Sequence, residues 1–285
     1  MKKISLLPLF FLLSSMQVNA AQDFSDVEIK AKQVSGDVYL LEGPGGNIGV
    51  LATDDGLLLV DDKFSPLATK IEQAMTAIKS VPLKYVVNTH YHGDHTGANA
   101  HFAKHAPIFA HANVRKRVQQ DNKKSGADLP VVTYEQGVTI HLASEEIQLL
   151  HFPRGHTDGD SVVYFKQANV LHMGDLFFQG RFPYIDLKGG GSVKGYLANI
   201  KKVANSYPQD IKIIPGHGEL SDMAGLAEFI AMLEFSVTRI EKAIAAGTSD
   251  DEILKAGIGE KYKSWGWQFI NEERWIKTLT ADLRK

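Results

Sequence analysis

The 285-residue chain reads as an α/β protein with a mixed, two-layer core, and three observations predict it. Short apolar runs at strand spacing crowd the first half. Beyond them strands alternate with stretches of helical periodicity. Several strands end in turns rich in glycine, histidine and aspartate, where a site is built rather than a plain connection. In order, residues 38–41, 49–52 and 57–61 are predicted strands, with Asp54-Asp55-Gly56 as the hairpin turn between the last two. Ser65-Pro66 opens a helix to about residue 78, the proline at an allowed early position. Residues 84–89 form a strand, 138–142 and 146–151 a hairpin, 161–165, 170–173 and 211–214 further strands, and 192–203 a helix. From 222 onward the pattern is helical, over 222–246, 250–256 and 272–284.

The stretch His90-Tyr91-His92-Gly93-Asp94-His95 follows strand 84–89 directly and packs three imidazoles and a carboxylate into six residues. In an extended segment alternate side chains share a face, so His90 and His92 can reach one metal ion. Gly93 allows a turn, after which Asp94 and His95 can face a second ion, although spacing alone does not show that two bind. Imidazole mixed with carboxylate suits zinc, with iron or manganese as alternatives. Three later glycine-flanked turns each deliver one more ligand: Gly155-His156-Thr157-Asp158-Gly159-Asp160, Gly174-Asp175, and Pro215-Gly216-His217-Gly218.

Taken in that order, these residues resemble the metallo-β-lactamase superfamily, from about residue 38 to residue 217. The resemblance implies an αββα sandwich of two mixed β-sheets flanked by helices, with metals at one edge of the facing sheets. It further implies two Zn2+ ions, His90, His92 and His156 holding the first, Asp94, His95 and His217 the second, and Asp175 bridging both. The implied chemistry is hydrolysis. A hydroxide shared by the ions attacks the carbonyl of an ester, thioester, lactone or lactam, and one ion stabilises the oxyanion. Asp94 is the catalytic candidate that orients the nucleophile and passes its proton to the leaving group.

Departures from individual branches narrow the reading. Cysteine-containing β-lactamases of the family carry Cys where Asp175 stands and a substrate-binding lysine where Phe178 stands; this chain has no cysteine. Another lactamase branch lacks the bridging aspartate. Asp175 therefore makes the chain more similar to glyoxalase-II-like and other exported hydrolases, with a true β-lactamase as the first alternative. An iron-dependent persulfide dioxygenase and a non-catalytic metal-binding protein are the other two. The presence of all seven ligands weighs against the last.

Residues 1–20 read as a secretory signal: Lys2-Lys3, an apolar core over 4–13, and Val18-Asn19-Ala20 as the cleavage site. A periplasmic or secreted protein is expected, with no membrane attachment after cleavage. Removal takes two lysines and no acids, shifting the formal charge from −2 to −4, which argues against nucleic acid as a partner and leaves a small-molecule substrate. The mature residues 21–285 are expected to form a single domain with a C-terminal helical segment from about 222; the oligomeric state leaves no mark in the sequence.

Other features have plainer readings. Gly43-Pro44-Gly45-Gly46 lacks the lysine and helix of a phosphate cradle and reads as a turn bordering the site mouth. His101 and His105 share a helix face, but with no further ligand in view they and His111 read as solvated. His141, His151 and His172 are expected to point into packing or a hydrogen bond. The loop 177–191 is expected to cover the metals, with Arg181 as substrate-binding candidate, and Trp265, Trp267 and Trp275 to be core anchors, with a lid or dimer contact as the alternative.

Overall fold

A computed structural model describes residues 23–285 apart from Lys123, so the expected signal peptide lies outside the described residues. The first sheet is built by β1 (Lys30–Ser35), β2 (Val38–Glu42), β3 (Ile48–Thr53), β4 (Gly56–Val60), β5 (Leu83–Val87), β6 (Ile108–His111) and β7 (Val132–Tyr134), in that order across the sheet. It is antiparallel from β1 to β4 and parallel from β4 to β7. Parallel pairs need crossovers. α1 (Ala68–Ile78) supplies the first, the short α2 (Gly93–Thr96) and α3 (Asn99–Phe102) the second, and α4 (Ala112–Gln120) the third.

The second sheet comprises β8 (Gly137–Leu142), β9 (Glu145–His151), β10 (Ser161–Phe165), β11 (Val170–His172), β12 (Lys212–Ile214) and β13 (Ser221–Asp222), again in sequence order. Only β11 and β12 are parallel, and α5 (Val193–Ser206) makes that crossover. The chain finishes one sheet before it begins the other and changes sheet once, at Glu135-Gln136. The helices α6 (Met223–Ala245), α7 (Asp250–Ala256) and α8 (Glu272–Leu283) follow.

Strand alternation explains the layering. Leu40, Leu51, Leu58, Val60 and Val87 of the first sheet meet Ile147, Leu149, Val163, Phe165 and Ile214 of the second in a buried layer between them. Their neighbours Leu41, Val50, Leu59 and Val86 point the other way, onto Ile71 and Met75 of α1 and Phe102 of α3. On the far side Val162, Leu171 and Ile213 pack under Tyr196, Ile200, Phe229, Leu233 and Trp275 from α5, α6 and α8. The architecture is the αββα sandwich, and the turns that carry the candidate ligands gather at one edge of it.

Candidate metal centre

The seven predicted ligands lie together, although their elements are spread over 128 positions from His90 to His217. β5 ends at Val87, two residues short of the strand expected, because Asp61 at the end of β4 captures the next turn. Its carboxylate accepts from Thr89 N and from Thr89 Oγ1, both at 2.7 Å. That turn throws His90 and His92 inward, and α2 starts at Gly93 with His92 as its N-cap, which sets Asp94 and His95 on the next face. His156 comes from the loop before β10, held by Asp160, which accepts from Thr157 N and Oγ1. Burial pushes the Asp160 carboxyl up to about 8 against those hydrogen bonds. Asp175 follows β11 and His217 follows β12.

Outer partners fix which nitrogen of each imidazole is free. His90 Nδ1–H donates to Thr89 Oγ1, 3.0 Å away, since that hydroxyl already donates to Asp61. His92 Nε2–H donates to Asp186 Oδ2 at 3.1 Å, and His156 Nδ1–H to the Tyr184 carbonyl at 2.7 Å. The remaining nitrogens, His90 Nε2, His92 Nδ1 and His156 Nε2, then face one another at 3.1 and 2.8 Å as three lone pairs with no proton between them. Burial holds His90 well below its ordinary value and His156 down to about 3, so both are neutral at pH 7. Three converging lone pairs in a buried site fit a cation and little else.

The second set differs. His95 Nδ1–H donates to Asp61 Oδ2 at 2.7 Å, leaving Nε2 pointing inward. Asp175 Oδ1 lies 3.1 Å from His95 Nε2 and 3.4 Å from His217 Nε2, and Asp94 Oδ2 lies 3.4 Å from His217 Nε2. Yet His95 Nε2 and Asp175 Oδ1 are buried and not aligned for a hydrogen bond. Such orphaned atoms are expected where a metal ion belongs. Asp175 Oδ2 turns instead toward the first set, 3.3 Å from His156 Nε2 and 3.7 Å from His90 Nε2. Burial opposes charge on His95 and His217, but Asp175 and Asp94 beside them raise both above the ordinary imidazole value. Burial would likewise lift Asp94, yet His95 and His217 hold its carboxyl down to about 2.

Close backbone approach shapes the edges. A Cβ on Gly46 would stand 2.1 Å from His95 Cε1, and one on Gly216 would stand 2.2 Å from Asp175 Oδ1, so only glycine fits at either place. The Gly46 turn is tied down by Lys63, whose buried ammonium donates to Gly43 O and Gly46 O and is lowered by burial to about 8. Asn47 ties the two sheets: its N–H donates to Gly216 O, and its Nδ2 to Pro215 O and Gly218 O.

A cavity of about 800 Å3 opens above the ligands, bounded by Pro44, Phe64, Tyr91, Tyr184, Trp267 and Phe269. Phe178 and Arg181 from the loop 177–191 also line it, and the Arg181 guanidinium lies 5.2 Å above the Trp267 ring. Of the three tryptophans, Trp265 and Trp275 are buried core residues as expected. Trp267 is not: it stands over His217 at the cavity wall. His172 is buried, donating through Nε2 to Asn47 O and accepting at Nδ1 from Gly174 N. His151 stacks on His111. His141, expected to pack, lies exposed on β8 because the register turns it to the outer face. His101 and His105 have a partner after all, Glu72 of α1.

Sequence reasoning missed Asp61, Thr89, Tyr184, Asp186 and Lys63. An acid pair and a lysine, Asp61-Asp62-Lys63, directly after the apolar run Leu57-Leu58-Leu59-Val60 were the available signal, since charge at a buried strand end requires partners.

Comparison with known proteins agrees with this geometry. Residues 41–217 match the metallo-beta-lactamase superfamily model, and the chain belongs to that superfamily. Among relatives, it is 26% identical over 187 residues to a metallo-beta-lactamase type 2 of Bacillus cereus, covering 65% of this chain and 72% of the relative. It is equally 26% identical over 191 residues to a probable hydroxyacylglutathione hydrolase of Schizosaccharomyces pombe, covering 63% and 67%. The solved metallo-beta-lactamase of Pontibacter korlensis superposes with a TM-score of 0.64 at 21% identity, covering 73% of this chain and 99% of that one, a likeness of fold.

Proposed function

We propose that the protein is an exported binuclear zinc hydrolase that cleaves an ester-type carbonyl bond in an ester, thioester or lactone. The observation that carries the reading is Asp175, whose two oxygens face two separate donor sets. His90, His92 and His156 would hold one ion, Asp94, His95 and His217 the other, and Asp175 both. When bound, divalent ions supply Lewis acidity, lowering the pKa of water and polarising a carbonyl. Asp94, a quarter exposed to the cavity and ionised through neutral pH, accepts the nucleophile's proton on its carboxylate and returns it to the leaving group. The aromatic walls exclude water from the scissile bond and receive the apolar part of the acyl group. Arg181 offers the cation for an anionic substituent.

A second reading, β-lactam hydrolysis as the main activity, is favoured by the likeness to the Bacillus cereus metallo-beta-lactamase type 2. The two separate on a panel of lactones, thioesters, esters and β-lactams offered to the zinc-loaded protein, with His90→Ala as blank. The ester-type reading expects kcat/KM of about 10⁴ M⁻¹s⁻¹ or more on one of the first three classes, with β-lactams slower. The reverse order would make the protein a β-lactamase. Iron with oxygen consumption would make it a dioxygenase, and full metallation without turnover a silent binder. For export, N-terminal sequencing of the periplasmic form is expected to begin at Ala21; recovery of an intact Met1 start there would reject the cleavage.

A further inference from the structure

A second group of metal-ligating side chains sits on the helical layer outside the first sheet, and none of it lines the main cavity. Glu72 projects from α1, His101 from α3, and His105 from the turn that follows α3. Glu72 divides its carboxylate between the imidazoles: Oε2 is 3.2 Å from His101 Nε2, and Oε1 is 4.0 Å from His105 Nε2. The three ligand atoms all lie within 4.8 Å of one another. Tetrahedral bonds of about 2.1 Å place ligand atoms about 3.4 Å apart, so side-chain rotation alone closes the gap. The two elements are held rigidly beneath, since Ile71, Met75 and Phe102 are buried in one apolar cluster.

We propose that Glu72, His101 and His105 form a separate surface site for a borderline divalent transition metal, zinc or copper rather than calcium or magnesium. Two imidazoles and one carboxylate match that class, and at equal availability Cu2+ binds more tightly than Zn2+. All three side chains are partly exposed, which leaves coordination positions for water; a cavity of about 190 Å3 beside Glu72 and His105 gives such waters room. An exposed three-ligand site exchanges its ion with solvent more readily than the buried centre, so it would load last and empty first.

The test uses tag-free, zinc-loaded protein and its His101→Ala/His105→Ala variant, both titrated with Zn2+ and then with Cu2+. Wild type is expected to bind one equivalent more than the variant, and its Cu2+ form to show nitrogen hyperfine structure from two imidazoles that the variant lacks. Hydrolytic activity should be the same in both, because neither histidine touches the main site. Glu72→Gln, which keeps the shape and loses the charge, is expected to weaken the extra equivalent at least tenfold. Equal stoichiometry in wild type and double variant, or a Cu2+ signal without imidazole nitrogens, would overturn the assignment.

Discussion

Asp61→Asn is the most informative single perturbation, because Asp61 touches neither cavity nor substrate. Its carboxylate is fully buried and accepts three hydrogen bonds, from Thr89 N, Thr89 Oγ1 and His95 Nδ1, each at 2.7 Å. It thereby orients His90 through Thr89 and fixes the tautomer of His95. Asparagine keeps the shape and tolerates the left-handed φ of 62° found here, so the backbone has no reason to move. It keeps one acceptor oxygen and replaces the other with a donor, leaving at least one buried donor without a partner, a cost of about 1–3 kcal/mol. Alanine would orphan all three donors, about 3–9 kcal/mol, comparable with the whole stability of a domain at about 5–15 kcal/mol. Loss of such an outer partner lowers metal affinity by about 10–100-fold, or about 1.4–2.7 kcal/mol. Because His95 Nδ1 depends on it directly, the loss is expected in the ion proposed for Asp94, His95 and His217. With two zinc ions held as proposed, competition with a graded chelator, read by metal analysis, should show one released early in Asp61→Asn. Two ions retained at wild-type affinity in a folded variant would refute the reasoning.

Other outcomes follow from the same geometry. His90→Ala and Asp175→Ala should each abolish turnover, checked by kinetics beside metal content; full activity in either would displace the ligand assignment. Arg181→Ala should raise KM several-fold before kcat changes, and unchanged kinetics would remove Arg181 from substrate binding. Chelation of the two proposed ions should abolish activity and lower the melting temperature, with zinc restoring both. Burial lowers His172 to about 4, so the unfolded chain takes up its proton first as pH falls. Stability from this group is therefore full above about 6.5 and is lost on descending to about 4, about 3 kcal/mol in all. The acid limb of metal-free protein should be shallower in His172→Asn; an identical limb would exclude that contribution.

Most of the sandwich was readable because its strands are buried, and burial writes itself as apolar runs. β10 and α7 fall where the sequence puts them, and β3, β4, β9 and α6 differ by a residue or two. β1 was not readable, since Lys30-Ala31-Lys32-Gln33-Val34-Ser35 is an edge strand largely open to solvent and held by backbone pairing to β2. β6 and β7 are four and three residues long, too short to show a period, and α4 between them was missed as well. The seven ligands stood out because histidine and aspartate in glycine turns have few structural uses. Their supports did not: Thr89, Tyr184 through its carbonyl, and Asp186 act by position, which only the fold supplies. Glu72 lies 29 residues from His101, and only the packing of α1 on α3 brings them together.

The single change of sheet at Glu135-Gln136 divides the molecule into two consecutive halves, and neither owns a complete metal set. His90, His92, Asp94 and His95 belong to the first half; His156, Asp175 and His217 belong to the second. Any ion bound in either set is thus a clasp between the halves, working beside the Asn47 tie. Two fragments cut at that junction would each be inactive, and zinc-dependent turnover on mixing them would measure how well the halves find each other. The proposed hydrolysis would then double as a signal of assembly.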